Sequence, residues 1–144
     1  MIVPDVNLIL YANFAHFPAH GPARSWWLDA LNGTDTVGIG FPVLFGVLRI
    51  STNPRIFRQP FPVADAIALA ESWFRRPTVI LLHPGPRHLE IAFELLRRSG
   101  SGGDLTTDVQ LAALAIENQA QLHSADADFG RFPGLRWVNP LQRR

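Results

Sequence analysis

Apolar and polar positions along this chain switch between two periods, and the switching predicts short strands separated by helices. Met1–Pro4 is a brief apolar run, and Val6–Phe14 follows it with helical character. Pro22 opens a second helical stretch through Leu31, closed by Asn32-Gly33, a pair suited to stopping a helix. Thr36–Ile39 reads as a strand and Pro42–Ser51 as a helix, with Leu44 and Leu48 apolar and Val47 on a neighbouring face. Asn53–Phe61 holds Pro54 and Pro60 and reads as a loop. Val63–Arg75 carries Ile67, Ala70 and Phe74 at helical spacing and ends before Pro77. Val79–Leu82 is apolar throughout and reads as a buried strand.

Beyond it, His83–Pro86 reads as a loop and Arg87–Arg98 as an amphipathic helix, with Leu89, Phe93 and Leu96 on one side. Ser99–Gly103 is rich in glycine and serine and should be flexible or turn-forming. Thr107–Asn118 is the clearest helix, with Thr107 and Gln110 spaced as a capping box ahead of an apolar run. Gln121–His123 and Arg136–Val138 close the chain as strands. Strands alternating with helices predict βαβ units: an α/β fold with a mostly parallel central sheet and helices on both faces. The 144 residues hold no repeat and no linker, which predicts a single domain over 1–144.

Composition narrows the chemistry. There is no cysteine, which excludes disulfides, zinc–thiolate sites and thiol nucleophiles. Pro4, Asp5 and Asn7 interrupt the first apolar run, and no run reaches the ~18–20 residues of a membrane span. The N-terminus lacks the basic stretch of a secretory signal, so the expectation is a soluble cytoplasmic protein with no membrane association. Net charge is only +1, yet every one of the 13 basic residues is arginine. Arginine's planar fork suits bidentate phosphate contacts, and a codon bias toward arginine gives the same composition.

The acidic residues say more. In open α/β sheets, ligands bind beyond the carboxyl ends of the strands. Asp5 ends the first strand, Asp126 and Asp128 follow Gln121–His123, and Asp108 lies in the first turn of a helix. In the expected fold, three separate stretches would bring carboxylates to one rim. Hard oxygen donors suit magnesium or manganese, which activate water and neutralise charge building on a phosphodiester. Each acid also has a structural use. Asp5 can cap the helix it precedes, Asp108 complements a helix dipole, and Asp126 and Asp128 can form turns. Leu111, Ala112 and Ala115 share the face of Asp108, so its charge borders a buried surface. No phosphate-binding glycine loop with its lysine is present, and no nucleophile elbow.

The acids, their order and their contexts resemble the PIN-domain ribonucleases, most closely the VapC toxins of bacterial type II toxin–antitoxin systems. The matching stretches are MIVPDVNLILY from Met1, LRISTNPRIF from Leu48, HPGPRHLE from His83, GDLTTDVQLAALAIE from Gly103 and SADADFGRFPGLR from Ser124. The resemblance implies a magnesium- or manganese-dependent endoribonuclease that hydrolyses RNA phosphodiesters, a homodimer, and a cognate antitoxin inserting a segment near the acidic site. It implies that Asp5, Asp108 and Asp126 are the catalytic, metal-binding carboxylates. Asp128 would be an additional ligand, with Asn7 and Ser124 orienting the set. Arg49, Arg55 and Arg87 are candidates for steering the RNA backbone.

One position departs from the family. A glutamate is frequent on the helix after the second strand, and the matching residue here is Gly46. A site one carboxylate short holds a second ion less well, unless Asp104 or Glu90 compensates. The alternatives are a PIN-like binding module that has lost catalysis and acts through antitoxin or RNA, and a small-molecule phosphohydrolase using similar acids. Pro4 is a smaller oddity, because proline donates no ladder hydrogen bond in a central strand.

Overall fold

The computed structural model describes residues 1–142; the last two positions of the expected 1–144 domain lie outside them. Its elements run β1 (Ile2–Pro4), α1 (Val6–Asn13), α2 (His20–Asn32), β2 (Val37–Gly40), α3 (Phe41–Ser51), α4 (Val63–Phe74) and β3 (Val79–Leu82). There follow α5 (His88–Ser99), α6 (Leu105–Glu117), β4 (Gln121–His123), a 3₁₀ turn (Ala127–Arg131) and β5 (Arg136–Val138). The strands form one sheet in the order β3-β2-β1-β4-β5, and every pairing is parallel. Right-handed crossovers then set α1–α4 on one face and α5–α6 on the other. No helix among the described residues is long and apolar enough to cross a membrane.

This order reverses direction between β1 and β4, the crevice where open α/β sheets take their ligands. Pro4 now has a reason. The β1–β2 ladder is confined to Ile2 against Val37, whereas β1 and β4 stay paired up to Pro4 against His123. The absent N–H of Pro4 ends one side of the ladder, while the Asp5 N–H still donates to the His123 carbonyl at 2.9 Å. Asp5 is thereby fixed to the strand that carries Ser124.

The core is built from Val3, Ile9, Val37, Ile39, Leu114, Leu122 and Phe129, with alanines 112, 113 and 115 letting α6 lie close to the sheet. Three sequence expectations are corrected. The Thr107–Gln110 capping box does not form: α6 starts at Leu105, because that side chain is buried, and Thr107 lies inside its first turn. On α5 the buried face is His88, Ala92 and Leu95; of the expected stripe Leu96 packs partly buried against the core, while Leu89 at 63% and Phe93 at 50% exposure point outward. On α4 the core takes Ala66, Ala70 and Trp73, leaving Ile67 exposed. In both helices the buried face mixes alanine with larger side chains, Trp73 on α4 and His88 and Leu95 on α5, while Ile67, Leu89 and Phe93 lie at the surface. The Ser99–Gly103 turn is as expected, with Gly100 and Gly103 at positive φ of 67° and 65° where a side chain would be strained.

Candidate active site

Asp5 is the hinge between β1 and α1, and both of its oxygens are engaged. Oδ1 accepts the Val6 N–H at 2.7 Å, capping α1, and Oδ2 accepts the Ser124 hydroxyl at 2.6 Å. The capping and functional readings of Asp5 therefore coexist. Burial drives its carboxyl above the usual range, opposed by the Ser124 and Val6 hydrogen bonds and reinforced by the charge of Asp126. Ser124 is fully buried just after β4, and its Oγ also accepts the Asp126 N–H at 3.0 Å. Asn7 bridges to the same loop: its Nδ2 reaches Ser124 Oγ and its Oδ1 accepts the Ala125 N–H, both at 3.5 Å. Asp126 Oδ1 accepts the Asp128 N–H at 2.9 Å, starting the 3₁₀ turn, so the turn-forming reading of Asp126 also holds.

Asp108 comes from the other side of the crevice, in the first turn of α6. Its carboxyl is pushed up to about 6, first by burial and then by Asp126, Asp5 and Asp128; Arg131 opposes the shift. The four acids named from the sequence thus act on one another electrostatically. Arg131, 3.7 Å from Asp128, is exposed and offsets little of that charge. Among the described residues, no three His, Cys, Asp or Glu side chains close into a ready-made cation cage. Magnesium does not require one, because it takes one or two carboxylates and keeps several waters. Hard oxygen donors held in mutual repulsion, with one carboxyl near 6, fit a divalent cation.

Neither proposed substitute for the missing glutamate joins this group. Glu90 is exposed on α5 and faces Arg87 at 3.7 Å, which also occupies one of the arginines considered for RNA. Asp104 is exposed at the start of α6, and neither acid contributes to the shift of Asp108. Gly46 lies on α3 against Val6, where an added Cβ would stand 2.9 Å from Val6 Cγ2. The valine methyl thus occupies the space a side chain at this position would need. We expect Gly46→Glu alone to destabilise the protein by about 1–3 kcal/mol through overpacking. Gly46→Glu with Val6→Ala should recover the loss and bind manganese more tightly than the parent. Thermal unfolding and calorimetric titration check both.

Sequence reasoning missed the supports of Ser124, which are remote in the chain and leave no local signal. Trp137 Nε1 donates to the Ser124 carbonyl at 3.0 Å. Trp26 Nε1 donates to His123 Nδ1 at 2.9 Å, so the ring proton sits on Nε2 and is given to Gln121 Oε1 at 3.1 Å. Burial lowers the His123 pKa to about 4 from 6.5. The unfolded chain takes up this proton first, so stability is lost as pH falls from about 6.5 toward 4. The loss should be on the order of 2 kcal/mol after screening, and His123→Gln should flatten that limb in urea titrations at stepped pH.

Beside the acids, α3 and α4 frame an open groove of about 600 Å³ whose wall includes Phe45, Val63 and Ile67. All three are exposed, Phe45 at 59% and Val63 at 63%. Gly46, Arg49 and Thr107 line the same groove, so it reaches the residues next to Asp5 and Asp108. Arg49, one of the three candidate arginines, lines this groove.

Known proteins agree with this architecture. The PIN domain family matches residues 2–135, and the chain belongs to that family. Within it the chain is a member of the VapC group: it is 51% identical to ribonuclease VapC33 of Mycobacterium tuberculosis over 142 residues, 99% of each chain. It is 38% identical to ribonuclease VapC37 of the same organism over 97% of each. Among solved structures, the fold is shared with M. tuberculosis VapC20, a sarcin–ricin loop cleaving toxin (TM-score 0.68, 20% identity, 94% of this chain and 99% of that one). It is shared equally with VapBC2 of Rickettsia felis bound to a promoter DNA fragment (TM-score 0.68, 21% identity, 96% and 98%).

Proposed function

We propose that this protein is a divalent-cation-dependent endoribonuclease, acting in the cytoplasm as the toxin of a VapBC-type toxin–antitoxin pair. The observation that carries the reading is the convergence on Asp108, whose carboxyl is lifted to about 6 by burial and by Asp126, Asp5 and Asp128. Asp5, Asp108 and Asp126 would hold the cation, magnesium or manganese, with Asp128 as an additional ligand. When bound, such an ion acidifies a water and neutralises charge on the scissile phosphate. The chain's own part is orientation. Ser124 and Asn7 fix the Asp5 carboxylate and the loop carrying Asp126, and Arg49 lies where it can meet an RNA phosphate. Asp108, whose carboxyl is raised to about 6, would hold the cation in its deprotonated form.

The antitoxin docks in the α3–α4 groove, which offers exposed apolar side chains beside the acids. Relatives of the same fold solved as VapBC assemblies support such a partner. The outward Leu89 and Phe93 of α5 support a second copy as the other partner, and Phe93→Glu should convert a dimer to a monomer by light scattering. Calorimetric titration with manganese tests the site. The wild type should bind, and Asp5→Asn and Asp108→Asn should each remove binding; unchanged binding in both folded variants rejects the assignment.

A further inference from the structure

A second cavity lies at the carboxyl edge of β2 and β3, against α6, and is used by nothing above. It holds about 150 Å³ and is bounded by Phe41, Pro42, Pro84, His88, Gln110 and Leu114. One water needs only ~10–15 Å³ on this measure, so the space accepts a ring-sized group. Its walls are apolar and ring-bearing, and two of its members carry polar edges, the Gln110 amide and the His88 imidazole. His88 is only 8% exposed, and its Nδ1 is buried with no hydrogen-bond partner.

The loop that delivers His88 is held firmly. Glu117 accepts the Gly85 N–H through Oε1 at 2.7 Å and the Arg87 N–H through Oε2 at 2.8 Å. Gly85 permits this approach, because a Cβ there would stand 2.5 Å from Glu117 Oε2. Phe41, one of the cavity walls, meets the exposed His83 edge-on, with ring centroids 5.2 Å apart. Phe41 follows β2, Pro84 follows β3 and Gln110 lies on α6 two residues beyond Asp108, so the cavity opens at the same carboxyl edge of the sheet that carries Asp5. Proteins that read RNA sequence splay single bases onto aromatic and histidine rings and hydrogen-bond their edges.

We propose that this cavity is a nucleobase subsite, taking one pyrimidine-sized base of the RNA strand next to the cleaved phosphodiester, with Gln110 and His88 reading its edge. This rests on the ribonuclease reading and extends it to sequence selection. The subsite gives the chain a preference at one fixed position relative to the cut.

The experiment sequences the ends released from a random-sequence RNA library by wild type, Gln110→Leu and His88→Phe. Gln110 is exposed, so its variant should fold normally, and thermal unfolding checks both. Wild type should favour one base at a fixed position, and each variant should reduce that preference about tenfold while cleavage continues. A preference unchanged in both folded variants, or none in the wild type, overturns the subsite and leaves the nuclease reading intact. Absence of all cleavage instead rejects the nuclease reading. Histidine ¹⁵N NMR with cytidine and uridine monophosphates in EDTA then decides the subsite. A shifted His88 resonance supports it, and an unmoved one overturns it.

Discussion

Asp108→Asn should abolish RNA cleavage and at the same time make the protein more stable. The carboxyl of Asp108 is held at about 6 against the usual 3.8, because burial and three neighbouring aspartates disfavour its charge. A carboxyl whose native pKa is raised favours folding below about 4 and loses that contribution as pH climbs through 6. At neutral pH the wild type therefore carries a penalty that the amide lacks. Half-exposed as it is, Asp108 should account for about 1 kcal/mol after solvent screening, or about 3 °C in melting midpoint. The gap between variant and wild type should widen from pH 4 to pH 7. A structural aspartate at a helix start behaves oppositely: its loss would lower stability and leave cleavage alone. Stabilisation together with inactivity is the mark of an acid kept for its chemistry.

Ser124→Ala should carry the second large effect, and here stability falls. One hydroxyl donates to Asp5, accepts from the Asp126 N–H and meets the Asn7 amide, all in a fully buried position. Its removal leaves those groups unpaired, at a cost of about 1–3 kcal/mol. Groups that orient ligands in this way are worth about 10–100-fold in metal affinity or activity. A pH profile separates this role from mere packing. The Ser124 hydrogen bond lowers the Asp5 pKa, so without it the acid limb of the activity profile should move to higher pH. Ser124→Thr, which keeps the hydroxyl, should hold that limb in place. A uniform drop at every pH, with no displacement of the limb, would assign Ser124 to packing alone.

What the sequence could and could not disclose follows from the range of each interaction. β3, β4 and β5 fall on the residues expected: β3 is an apolar run, while β4 and β5 are short segments set between turn-forming residues. The acids could be placed on one rim because a parallel sheet puts every strand's carboxyl end on the same edge. Helix faces were less legible. Leu89, Phe93 and Leu96 mark a stripe on α5, but the helix is rotated so that His88, Ala92 and Leu95 face the core, with Leu96 at its margin and Leu89 and Phe93 outside. The start of α6 was masked by a well-spaced Thr107 and Gln110, while burial of Leu105 set the true boundary. The Trp26–His123 and Trp137–Ser124 hydrogen bonds join positions 97 and 13 residues apart, so no local pattern announces them. The conflict between Gly46 and Val6 is likewise visible only in three dimensions.

The central claim is that the four aspartates cleave RNA by means of a divalent cation. The measurement that tests it most directly is cleavage of total RNA by purified protein, with magnesium or manganese against EDTA, beside Asp5→Ala. Discrete fragments that require the metal and vanish in the folded variant are the predicted result. Intact RNA from folded, antitoxin-free protein would contradict it, as would identical cleavage by Asp5→Ala.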